Sequence, residues 1–193
     1  MCLSVLALAR PAVAQVASIA ASAPTLSSVA VWNVQADSTV GIAANSLTLL
    51  INSGSVQTIP SLLDNRINAF PLPVSITTQW QLSSLVTLVD LVGYFASPTT
   101  ALANGAASIP SSRVEGRMVT GRVPAFTAFT QAPVGGLGTP GGTLHLFRQV
   151  IILPINGQGQ RTDLLDLRLD LQGFPSLQPG TYRGTLTLRA ISY

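Results

Sequence analysis

One imidazole, seven carboxylates and ten guanidinium groups are the ionisable side chains this 193-residue chain offers for chemistry at neutral pH, for it has no lysine. Hydrolysis needs a group that takes a proton near neutrality, and His145, in the stretch TLHLFRQV, is the single imidazole. No G-x-S-x-G accompanies it, and no second His or Cys stands at metal-ligand spacing. A triad assembled from distant Ser and Asp residues would leave no mark on spacing. These residues predict a non-enzymatic protein, with no catalytic residue, no cofactor and no metal.

Two further patterns imitate chemistry. Gly136-Leu137-Gly138-Thr139-Pro140-Gly141 is formally G-x-G-x-x-G, but a dinucleotide loop needs a helix N-terminus after it to receive phosphate. An apparent strand follows instead, so the segment reads as a Gly-rich hairpin loop. Asp163, Asp166 and Asp170 suggest calcium. On a strand, however, Asp166 and Asp170 stand about 13 Å apart, too far to share an ion bound at about 2.4 Å. With Arg168 between them, they predict a cross-strand charge ladder.

The elements that must hold these residues are strands. Period-two alternation recurs over residues 29–35, 46–52, 74–82, 85–95, 113–119, 126–131, 143–153, 164–171 and 181–191, with turn residues such as Asn52-Ser53-Gly54, Asn104-Gly105 and Pro179-Gly180 between them. Residues 162–173, TDLLDLRLDLQG, carry helix-like ends, but Leu165, Leu167, Leu169 and Leu171 alternate with charges and predict a strand. Residues 61–70, SLLDNRINAF, are the best short helix, with Ser61 as N-cap. The expected fold is all-β: a two-sheet immunoglobulin-like or jelly-roll-type sandwich of about 8–9 antiparallel strands, with a closed barrel as the competitor. Trp32 and Trp80 are expected in its core.

Composition narrows the function classes. Charged residues are 9% of the chain against 47% hydrophobic, so Ser, Thr, Gln and Asn must cover the surface. The net charge of +3 is dispersed, and its densest stretch, residues 113–122, holds three Arg with Glu115 among them. That is not the basic, aromatic-laced stripe of nucleic-acid binding. The opening MCLSVLALARPAVAQ reads as a signal peptide over residues 1–14, with Ala12-Val13-Ala14 as a small-x-small cleavage site, though no positive charge precedes its apolar run. That run falls short of the roughly 20 residues a membrane span needs. Residues 15–28 read as a flexible arm, and 29–193 as one domain. The expectation is a secreted or cell-surface protein, passing through a periplasm, without a structural disulfide, since Cys2 is the only cysteine.

The last seventeen residues, LQPGTYRGTLTLRAISY, put Pro179-Gly180 at a type II turn and then alternate two faces. Leu177, Gly180, Tyr182, Gly184, Thr185, Leu186, Thr187, Leu188 and the closing Tyr193 resemble the final strand of the spore coat U and fimbrial-pilin-like group of exported bacterial β-sandwich proteins. The resemblance covers roughly the last thirty residues. It implies a periplasmic chaperone that pairs with the C-terminal strand, and copies joined by strand donation, a form of β-augmentation. The assembly residues would be Tyr182, Leu186, Leu188 and Tyr193 on the accepting strand, with Leu26 and Val29 on a donor lying within residues 15–34. Partners would then be further copies or other cell-surface proteins. The alternative from another class is a monomeric adhesion or glycan-binding module, with Phe126 and Phe129, or Tyr94 and Phe95, as contacts.

Overall fold

The computed structural model describes residues 28–38, 46–83, 86–105 and 107–193. The signal-like start, the arm up to residue 27 with Leu26, and Cys2 lie outside the described residues. Thirteen strands follow in order: β1 (Ser28–Ser38), β2 (Ser46–Ser53), β3 (Val56–Leu62), β4 (Ile67–Ala69), β5 (Val74–Gln81), β6 (Val86–Tyr94), β7 (Leu102–Asn104), β8 (Ala107–Ile109), β9 (Val114–Arg117), β10 (Thr127–Ala128), β11 (Thr143–Ile152), β12 (Gln158–Asp170) and β13 (Gly180–Ser192). The described residues contain no α-helix, and therefore none long and apolar enough to cross a membrane.

The strands form two packed sheets. One runs β11-β6-β13-β1-β3, with β7 on β13 and β8 on β7; the other runs β10-β9-β12-β5-β2, with β4 on β12. Alternation decides which side chains lie between them. On β12, Leu165, Leu167 and Leu169 are buried while Asp166, Arg168 and Asp170 face outward. On β1, Ala30, Trp32 and Val34 point inward. The Trp32 ring sits 4.4 Å from Phe70 and 5.7 Å, edge-on, from Phe95, which in turn meets Phe129 at 5.2 Å. This chain of rings ties β1 to the loops after β4, β6 and β10, each pair adding roughly 0.5–1.5 kcal/mol beyond area burial. Trp80 is also buried, its indole N–H donating to the Asn156 carbonyl at 3.1 Å.

Three features depart from expectation. First, one pairing is parallel: β1 lies beside β13 from Ser28↔Gly180 to Ser38↔Ala190, with antiparallel β3 on its other side. Alternation reveals a strand but not its neighbour's direction, and this pair joins opposite ends of the described chain. Second, the strands outnumber the expected eight or nine, because β3, β4, β7 and β8 are too short or too polar to show a period. Third, residues 61–70 make no helix. Pro60, Ser61 and Leu62 finish β3, and Asn68 then closes a turn by accepting from the Leu63 N–H at 2.7 Å and donating to the Leu63 and Arg66 carbonyls at 3.0 Å. Asn65 takes φ 53° within it, a conformation Asn tolerates.

The Gly-rich segment is a loop that folds back over the outer face of the first sheet. Gln131 leads it, pairing with Thr143 through its backbone and accepting the His145 N–H on its side chain at 2.8 Å. Gly135 passes so close to the Tyr193 ring that a Cβ there would stand 3.0 Å from it.

Candidate functional site

β6 reads VTLVDLVGY, an aspartate inside an apolar strand. Asp90 projects from the outer face of the first sheet, yet is fully buried beneath the loop after β10. Its Oδ1 accepts from Arg148 Nε at 2.8 Å and His145 Nε2 at 3.0 Å. Oδ2 accepts from Arg148 Nη2 at 2.8 Å and from the Tyr193 hydroxyl. Arg148 and His145 reach it from β11, and Tyr193 from just beyond β13. Burial alone would raise the Asp90 pKa, but hydrogen bonds from Arg148, Tyr193 and His145 outweigh it and hold the carboxyl at about 2. The same carboxylate raises the pKa of Arg148 through its hydrogen bond, and together with burial raises that of the Tyr193 phenol.

Four accepted bonds occupy the lone-pair sites of a carboxylate. The Asp90–His145 contact resembles the orienting half of a hydrolytic dyad, in which the imidazole and not the carboxylate takes the substrate proton; here the ring is buried along with the carboxylate. The cluster acts as an anchor. With the Tyr193 N–H donating to the Leu88 carbonyl at 3.1 Å and the Tyr193 carbonyl accepting from the Leu88 N–H at 2.9 Å, it fastens residue 193 to the sheet.

The outer face of the second sheet carries two different surfaces. Across β9 and β12 runs the expected charge ladder: Arg117 Nη2 to Asp166 Oδ2 at 2.7 Å, and Arg168 to Glu115. Phe126 lies between the two guanidiniums, 4.7 Å from Arg117 Cζ and 4.1 Å from Arg168 Cζ. Asp163 faces the other way. Buried, it accepts from Arg161 and Thr120, while Arg161 also stacks on Phe147 at 4.2 Å.

Toward β5 and β2 the ladder gives way to uncharged groups. The register aligns Ser46, Gln81 and Gln158 in one row and Thr48, Gln79 and Gln160 in the next. Side chains bond across strands: Gln79 Nε2 to Gln160 Oε1 at 3.2 Å, the Thr77 and Thr162 hydroxyls at 2.8 Å, and Asn52 Nδ2 to Thr77 at 2.8 Å. A shallow groove of about 420 Å³ runs along these rows.

The expected contact residues scatter across this frame. Tyr182, Leu186 and Leu188 are buried core residues on β13, whose two edges are both paired within the chain, to β6 and β1. Val29 lies on β1, half-buried on its outer side and opposite Thr181. Tyr193 is half exposed as part of the Asp90 cluster. Phe129 is fully buried and Phe95 nearly so, hence neither offers a surface to a ligand in the folded protein. Phe126 is partly exposed but already occupied by two arginines.

Sequence reasoning missed Asp90 and Arg148. The available signal was a charge inside each of two apolar strands, since a buried carboxylate needs a partner. Neither a protein-family model nor a curated protein matches the chain.

Proposed function

We propose that this protein is an exported, fimbria-like structural subunit of the cell surface, in which strand β1 completes the sandwich of its own chain or that of a neighbouring copy. The observation that carries the reading is the seat of β1. It fills the gap between β13 and β3, burying Trp32 completely, yet belongs to no hairpin, and residues 39–45 connect it to β2 in the other sheet. A strand that shares no hairpin with either neighbour can be exchanged between identical chains, and backbone pairing on both edges supplies the affinity. Donation by each copy to the next, rather than reciprocal exchange within a pair, builds a linear array.

Val31 and Arg183 are register partners on the outward side of β1 and β13. A Val31→Cys/Arg183→Cys variant in a Cys2→Ser background, unfolded, refolded at rising concentration and oxidised, tests the proposal on a non-reducing gel. Exchange gives a ladder of covalent multimers. If every concentration gives only monomers with an internal disulfide, strand donation is wrong.

A further inference from the structure

We infer that the uncharged face of β2, β5 and β12 is a binding surface for a neutral polysaccharide, a site separate from the strand seat above and independent of it. The first argument is electrostatic. The outward residues of the groove are Ser46, Thr48, Gln79, Gln81, Gln158 and Gln160, none ionisable, whereas β12 a few residues further on carries Asp166, Arg168 and Asp170. The outer face of the sheet confines its charge to one half, and the other half offers a ligand no opposite charge to pair with, which favours a neutral one. The second argument is chemical. Each Gln carries two donors and an acceptor, and each hydroxyl one donor and two lone pairs. That inventory matches a polyhydroxylated chain, whose hydroxyls also donate and accept.

The third argument is preorganisation. The Gln79–Gln160 and Thr77–Thr162 bonds link side chains of adjacent strands, which restricts their freedom before binding and lowers the entropy lost on it. Strands about 4.8 Å apart and rows about 6.7 Å apart make a regular lattice of such groups, which suits a polymer with a repeat better than a single small molecule. Beyond the amide rows the exposed side chains of Leu50 and Leu164 offer apolar contact to the C–H faces of sugar rings.

Affinity electrophoresis of the full chain in gels containing a β-glucan, a galactomannan or a mannan tests this, with a polyuronate as the charged comparison. Retardation by at least one neutral polymer, insensitive to salt and reduced at least tenfold in apparent affinity by Gln79→Ala/Gln160→Ala, is the expected result. Ser46→Tyr fills the groove without removing an amide and should abolish retardation as well, which guards against a folding defect in the double variant. Phe126→Ala, on the charged half, should leave retardation unchanged. No retardation in any neutral polymer, retardation only by the polyuronate, or equal retardation of the wild type and Ser46→Tyr would each overturn the inference.

Discussion

Replacing Asp90 by Asn keeps the shape of the residue and removes the charge on which three side chains converge. The drop of its pKa from 3.8 to about 2 corresponds to roughly 2–3 kcal/mol of folding free energy at neutral pH. The Arg148 side chain is 34% exposed, and solvent screens part of that pairing, so about 2 kcal/mol is the expected loss. For a chain of this size that lowers the midpoint of thermal unfolding by about 4–8 °C. The sign with pH follows from the direction of the shift. A carboxyl whose pKa is lower when folded contributes fully above its unfolded value and loses that contribution as pH falls toward the folded one. The gap between wild type and Asp90→Asn should therefore be widest from pH 5 to 7 and close between about pH 4 and 2. Urea or thermal unfolding followed by circular dichroism across that range measures it, and the other six acids cancel because both proteins carry them. A gap that is absent at pH 7, or as wide at pH 2.5 as at pH 7, refutes the anchor.

Tyr193→Phe removes one donor to Asp90 and should cost about 1 kcal/mol, shifting the acid limb of the unfolding curve to higher pH without changing the fold by circular dichroism. Trp32→Ala should destabilise by about 3–5 kcal/mol, read by urea midpoint, because its ring contacts Phe70 and Phe95 across the core. Gly184→Ala should cost at least about 2 kcal/mol by the same measurement, since a Cβ there would stand 2.1 Å from the Ala101 carbonyl oxygen. Phe126→Ala, which removes the ring between Arg117 and Arg168 but leaves their carboxylate partners in place, should cost only about 1 kcal/mol.

The long strands were legible because burial on one face imprints a period of two. Leu165 to Leu171 and Tyr182 to Ala190 show it plainly, and the ladder of Asp166 and Arg168 followed from the same rhythm. What the rhythm does not encode is neighbourhood. Nothing local to residues 28–38 says that they run parallel to residues 180–190, and nothing in SLLDNRINAF says that Asn68 will fold its amide back on Leu63 and outcompete a helical turn. The Asp90 cluster was hidden for a related reason. Its partners lie 55, 58 and 103 residues from Asp90 in sequence, and only the loop from Gln131 to Thr143 turns that outer face into an interior. The amide groove likewise takes residues from three strands, each of which reads alone as ordinary solvent-facing polarity.

The parallel seat of β1 also gives the molecule a long axis with distinguishable poles. Ser28 sits beside Gly180, while Tyr193 finishes the opposite end of the same strand, roughly 40 Å away by strand rise. Any label, tether or neighbouring module joined ahead of Ser28 therefore departs from one tip of the sandwich, and anything joined after Tyr193 from the other. Splicing the two tips together to make a permuted chain would take a linker of a dozen residues or more.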